Sequence, residues 1–245
     1  MSGHSHAKKI RGQKTITDQK RGQIFSKMAR VISIAVKEGG PTPETNNKLR
    51  VAIEQAKQFN LPKENIERAI KQATGNGEEA NLEEVLCEAY GPGGIAIIIE
   101  GITDNKNRSL SEVKQILNQH GGKLVQEGAI KWMFEKKGCI TVNIKNQKSN
   151  IKNKEDLELL AIGAEAEDFY WYDNNLDIYA GIKDLEKVKK NLEEKGVKID
   201  SASLDWKPKE MIEVGEKEKE SCQKLFEELD ENDAVQNIYS NLKNL

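Results

Sequence analysis

Apolar residues recur at helical spacing through the first third of the chain. Ile24, Met28, Val31, Ile32 and Ala35 mark one face of a helix that Thr17 or Asp18 can cap. It runs to about Lys37, where Gly39, Gly40 and Pro41 stop it. Leu49, Ala52, Ile53 and Ala56 predict a second helix over Thr45–Phe59, with Asn60 as a left-handed stop. Pro62 opens a third at an early position, where its missing N–H costs nothing. Ile66, Ala69, Ile70 and Ala73 form its apolar face, and Gly75 ends it. Short connections between amphipathic helices predict a small bundle.

After Asn76-Gly77 the pattern changes. Leu82–Tyr90 and Ile95–Glu100 predict strands flanking Gly91-Pro92-Gly93-Gly94. Ser109 and Glu112 form a candidate capping box ahead of Val113, Ile116 and Leu117, with Gly121-Gly122 closing that helix. Ala129–Phe134 and Cys139–Ile144 predict further strands. A helix over Glu155–Ile162 follows, then strands near Phe169–Tyr172 and Leu176–Ala180, a helix over Asp184–Lys195 and a strand after Gly196. From Cys139 to about Leu204 the order is β-α-β-β-α-β, the split-βαβ arrangement. Residues 208–245 predict one more strand, a helix near Glu216–Asp230 and a strand at Val235–Tyr239, half a domain that completes the sheet begun at Leu82. The expected organisation is α+β and multidomain. A three-helix bundle occupies 1–78, a discontinuous α/β domain 79–137 with 206–245, and an inserted ferredoxin-like domain 138–205.

Charge sharpens this division. The net charge of −2 hides 15 Lys and Arg against 6 Asp and Glu in residues 1–77, a balance of +9. The remainder carries 23 against 34, a balance of −11. A positive end draws phosphate and an acidic body repels it. The candidate nucleic-acid contacts are Lys8, Lys9, Arg11 and Lys14 in a polar, mobile arm, and Lys20, Arg21, Lys27, Arg30 and Lys37 on the first helix. At about 100° per residue, Lys20, Lys27, Arg30 and Lys37 share an arc beside the apolar face, so the helix can pack inward and present a basic stripe outward. The second helix adds Asn46, Asn47, Arg50, Gln55 and Gln58, residue types that reach base edges.

Other chemistry is sparse. No apolar run approaches the ~20 residues of a membrane span, the start lacks the apolar core of a secretory signal, and Cys87, Cys139 and Cys222 are widely spaced. A cytoplasmic protein without membrane attachment, disulfide framework, structural zinc site or cofactor is expected. Gly91–Gly94 is not followed by the Lys-Ser/Thr of a phosphate loop and precedes a strand, so it reads as a turn. The run from Thr103 to Arg108 reads either as a turn with Asx hydrogen bonds or as a polar partner surface of Asp104, Asn105, Lys106 and Arg108. Histidines lie only at 4, 6 and 120, and no Gly-x-Ser-x-Gly or His-Glu-x-x-His occurs. The chain therefore reads as a non-enzyme, with a hydrolase built from carboxylates as the remote alternative. Removal of Met1 would leave Ser2-Gly3-His4, whose amine, amide nitrogens and imidazole can ligate Cu(II) or Ni(II) in a square plane, with or without biological purpose.

Several stretches in order resemble the YebC family, which includes mitochondrial translational activators of cytochrome c oxidase. They are Gly3-His4-Ser5, Lys20-Arg21-Gly22-Gln23-Ile24-Phe25, Arg30, Glu38-Gly39-Gly40, Leu61-Pro62-Lys63-Glu64-Asn65-Ile66-Glu67-Arg68-Ala69-Ile70, Tyr90-Gly91-Pro92-Gly93-Gly94, Thr103–Arg108, Trp132-Met133-Phe134-Glu135 and Val235-Gln236-Asn237-Ile238-Tyr239. The chain departs from the family pattern at His6-Ala7, at Arg11-Gly12-Gln13-Lys14 and in the lysine- and asparagine-rich 146–172 region. The resemblance implies three domains, one inserted in another. It implies a probable DNA-binding transcriptional regulator or, alternatively, a translation factor that binds ribosomal RNA on ribosomes stalled at proline-rich stretches. No small-molecule substrate is implied.

Overall fold

The computed structural model describes residues 18–75, 81–147, 151 and 153–243. Helices α1 (Asp18–Gly39), α2 (Asn47–Gln58) and α3 (Lys63–Ala73) pack through Ile24, Met28, Ile32, Leu49, Ala56 and Ile66. Asn46 caps α2 by accepting from Leu49 N at 3.0 Å, and its amide donates to Ala35 O at 2.6 Å and Gly40 O at 2.8 Å. One buried side chain thus starts α2 and ties it to α1. Asn60 takes φ +58°, and Leu61 N returns to Ala56 O at 3.0 Å, the Schellman ending that a left-handed residue permits. Pro62 is the N-cap of α3, just outside the first turn.

Strands β1 (Glu83–Tyr90) and β2 (Ala96–Thr103), helix α4 (Lys106–Gln119) and strand β3 (Lys123–Val125) follow. Then come β4 (Phe134–Asn143), α5 (Lys154–Ile162), β5 (Asp168–Tyr172), β6 (Asn175–Ala180), α6 (Leu185–Glu194) and β7 (Ser201–Pro208). The chain closes with α7 (Glu216–Glu231) and β8 (Val235–Ser240). Two antiparallel sheets result, ordered β3-β1-β2-β8 and β5-β6-β4-β7.

The second sheet is the expected ferredoxin-like unit. The first has the same layout with its connections permuted. Its βαβ runs β2-α4-β3, and α7-β8 supplies the closing strand. The strand between β2 and β3 in space is β1, which precedes both in sequence. The link from β3 to α7 is thereby freed, and it carries the second sheet. The expected division at 137/138 and 205/206 falls inside β4 and β7, which pair from Phe134↔Pro208 to Thr141↔Ser201.

Burial on two sides explains the apolar run of β2. Ile97 and Ile99 join Cys87 and Ala89 against Val113 and Leu117 of α4 and Leu225, Phe226 and Leu229 of α7. Ala96 and Ile98 face the other way, onto Ile130, Phe134, Trp206 and Tyr239. A central strand covered on both faces loses its polar alternation.

Three local expectations are corrected. Residues Ala129–Phe134 do not form a strand; Lys131–Met133 is a 3-10 turn. The buried Glu88 carboxylate takes the N–H groups of Gly128, Ile130 and Lys131, which a sheet ladder would need. Ser109 and Glu112 do not open α4. Asn105 does, accepting from Arg108 N at 3.1 Å, while Ser109 lies within the helix and donates its hydroxyl to Thr103 Oγ1 at 2.7 Å. The strand expected just after residue 208 reduces to an isolated bridge between Ile212 and Leu242.

Candidate nucleic-acid interface

The stripe on α1 is largely engaged within the fold: Lys27 is buried, Lys20 and Arg30 are half-buried, and Lys37 is exposed but bonded. Lys27 is 1% exposed, and its ammonium donates to Asp230 O at 2.5 Å and approaches Asp230 Oδ1 at 3.4 Å. Arg30 donates to Asp233 O at 2.7 Å and Ile102 O at 3.3 Å. Lys37 donates to Leu82 O at 3.0 Å, and Lys20 lies 3.6 Å from Glu231. Beside them Ile34 packs on Leu82 and Ile102. The physical reason is the end of α7. Its last carbonyls lack intrahelical partners, and the macrodipole places partial negative charge there. The arc read as a phosphate stripe is a clamp that seats the helical bundle on the first sheet.

The other candidates divide. Lys8, Lys9, Arg11, Lys14 and His4 lie outside the described residues. Arg21 is exposed near the start of α1. Asp104, Asn105, Lys106 and Arg108 stand at the exposed N-terminus of α4. Asn105 is the cap, and Arg108 pairs with Asp104 at 2.7 Å. On α2, Asn46 is spent as the buried cap, and Gln55 and Gln58 line an inner cleft.

Exposed cations on the bundle that sequence reasoning underweighted are Arg50 and Lys57 on α2 and Arg68 and Lys71 on α3. Arg50 and Lys57 are seven residues apart, two helical turns, which places them on one face. That spacing was available in the sequence. What was hidden is that Lys27, Arg30 and Lys37 of α1 are bonded to backbone carbonyls outside the bundle.

The cleft, about 830 Å³, lies where the bundle meets both sheets. Glu84, Glu100, Asp173 and Asp200 line it against one ammonium, Lys136. Such a field turns phosphate away. Within it Glu100 accepts from Trp206 Nε1 at 2.9 Å, and lies 3.4 Å from Lys136 Nζ and 3.3 Å from Asn237 Nδ2, which joins the sheets. No group of three or more His, Cys, Asp or Glu poised for a metal occurs among the described residues. No described helix is long and apolar enough to cross a membrane.

The fold and surface define an α+β protein with a cation-bearing helical head docked on two ferredoxin-like sheets. The chain belongs to the TACO1/YebC family: residues 5–76 match the TACO1/YebC N-terminal domain, and residues 82–242 match its second and third domains. It is 45% identical over 243 residues to a protein of Thermoanaerobacter pseudethanolicus named "probable transcriptional regulatory protein", covering 99% of this chain and 97% of that one. A protein of the same name from Chloroflexus aggregans is 45% identical, covering 99% and 95%. The crystal structure of a conserved hypothetical protein from Aquifex aeolicus superposes with a TM-score of 0.84 at 41% identity, covering 92% of this chain and 91% of that one.

Proposed function

We propose that this protein is a nucleic-acid-binding regulator of gene expression, acting in the cytoplasm on DNA as a transcriptional regulator. The observation that carries the reading is the positive excess of residues 1–77, of which only part is consumed by the clamp. Lys8, Lys9, Arg11, Lys14, Arg21, Arg50, Lys57, Arg68 and Lys71 are the cations assigned to phosphate. The acidic cleft repels a polyanion and so turns it away from the space between the bundle and the sheets. The names borne by the relatives from Thermoanaerobacter and Chloroflexus support the regulatory role.

A second reading, a translation factor on ribosomal RNA, is favoured by the fate of α2. With Asn46 buried and Gln55 and Gln58 turned to the cleft, α2 retains few side chains for base edges in a major groove. Recognition through phosphate and shape suits folded RNA.

Titrating the full chain with labelled duplex DNA and with a ribosomal RNA hairpin, across a salt series, tests both. Log affinity is expected to fall linearly with log salt, and the tighter ligand selects the reading. Absence of binding to either would overturn both.

A further inference from the structure

We propose that the turn carrying Trp132, with Tyr90 on the neighbouring strand end, is a stacking platform for the bases of a single nucleic-acid strand. The proposal rests on the nucleic-acid reading above and extends it from the helical head to the first sheet.

Trp132 is 66% exposed. Leaving so much aromatic surface in water forgoes a large hydrophobic gain. The ring is nevertheless held. Its Nε1 donates to Ala129 O at 2.9 Å. On one flank the Glu88 carboxylate fixes the backbone through Gly128 N at 2.6 Å, Ile130 N at 2.7 Å and Lys131 N at 2.9 Å, and Ile130 is buried. On the other flank Lys209 N donates to Met133 O at 2.9 Å and Phe134 is buried. With its only donor spent internally, the indole has its π-faces left to offer. It suits a flat partner and cannot serve a hydrogen-bond acceptor.

Tyr90 is placed by strand alternation. Cys87 and Ala89 point into the helix-covered core, so Leu86, Glu88 and Tyr90 share the opposite face. Glu88 is where the turn is tied down. Tyr90, two residues further at the strand end, is 39% exposed and pairs across the sheet with Lys123.

The charges around the rings choose the partner. Lys123 stands opposite Tyr90, Lys131 precedes Trp132 with its ammonium 5.4 Å from the Trp206 ring, and Lys209 is joined to Met133; all three are exposed. Among the acids on these segments, Glu88 is spent on the turn, Glu135 is held by Lys137 at 2.8 Å, and Glu127 and Glu210 are exposed. Aromatic faces flanked by lysines fit an anionic chain with flat, accessible bases. A duplex hides its base faces, whereas a single strand presents them. A proline-rich segment could use the rings but has no call on the cations.

The test compares the full chain with Trp132→Ala and Trp132→Phe, using labelled oligouridylate of about a dozen nucleotides, a matched duplex and an oligoproline peptide. The single strand is expected to bind the native chain and quench its tryptophan emission. Trp132→Ala is expected to lose about tenfold in single-strand affinity, the scale of one base–aromatic stack, together with the quench. Its duplex affinity and melt should be unchanged, and Trp132→Phe should recover most of the loss. Unchanged single-strand affinity in Trp132→Ala would overturn the platform and leave the nucleic-acid reading standing. Absence of binding to any nucleic acid would overturn both. Quenching by oligoproline and not by oligouridylate would overturn the platform in favour of a peptide site.

Discussion

The ammonium of Lys27 lies 2.5 Å from the carbonyl oxygen of Asp230, across 203 residues of sequence and out of contact with water. A lysine on the basic arc of α1 therefore neutralises the end of α7. The charge asymmetry between head and body has a structural use: part of it docks the two. This contact reassigns Lys27 from ligand binding to assembly, and the first prediction follows from it.

Replacing Lys27 with Gln should destabilise the protein. Removing one partner of a buried pair costs about 3–5 kcal/mol, because the other is left unpaired. Each kcal/mol moves the melt of a chain this size by roughly 2–4 °C. A fall of about 6 °C or more is expected by calorimetry, with DNA and RNA affinity unchanged well below the melt. A normal melt with weakened binding would return Lys27 to the ligand site.

The arm is the converse case. Changing Lys8, Lys9, Arg11 and Lys14 together to Gln should leave the melt within about 2 °C, as surface substitutions do. It should lower the salt slope of duplex binding by about 0.9 for each phosphate contact removed. Anisotropy titrations at several salt concentrations read both slope and affinity. An unchanged slope would place the contacts on the exposed cations of α2 and α3.

Glu88 predicts a pH dependence. Burial alone would raise its pKa, but the N–H groups of Gly128, Ile130 and Lys131 and the charge of Lys131 outweigh it, holding the carboxyl below the ordinary 4.5. A group depressed in the folded state adds stability above its unfolded pKa and loses it as pH falls through the folded value. Glu88→Gln should therefore cost about 2 kcal/mol or more at neutral pH. That difference should shrink as the pH is taken below 4.5. Urea melts of both proteins from neutral to acid pH measure it. A gap that stays constant would show that shape, not charge, holds the turn.

The cysteines should be inert in the folded protein. Cys87, Cys139 and Cys222 are buried thiols, and burial pushes Cys87 and Cys222 up to about 11. The thiolate is the reactive form, so an aromatic disulfide reagent at mildly alkaline pH should label none of them natively and all three in guanidinium. Rapid native labelling of Cys87 or Cys222 would contradict the packing of the first sheet under α4 and α7.

Much of the fold was legible because its causes are local. Apolar spacing located the three helices, and Gly40 and Asn60 marked the ends of the first two, since a left-handed stop depends on the residue that adopts it. The βαββαβ order of the inserted sheet could be read from successive periodicities. The start of α4 was misplaced because Asn105 and Ser109 are both plausible caps in sequence. The choice fell to Thr103, whose hydroxyl draws Ser109 inward.

Most of the elements, the α+β class and the separation of a basic head from an acidic body follow from short-range patterning or a count of charges. What those charges do follows from the folded chain. Whether a lysine on a helix meets phosphate, water or a carbonyl depends on which distant surface lies against that face. Lys27 and Arg30 met the end of α7 and the 233 carbonyl, partners 203 residues away that no spacing rule connects to them. The exposure of Trp132 was decided in the same way. A carboxylate from β1 captured three backbone N–H groups of its turn and left the indole outside the core that Phe134 and Trp206 entered.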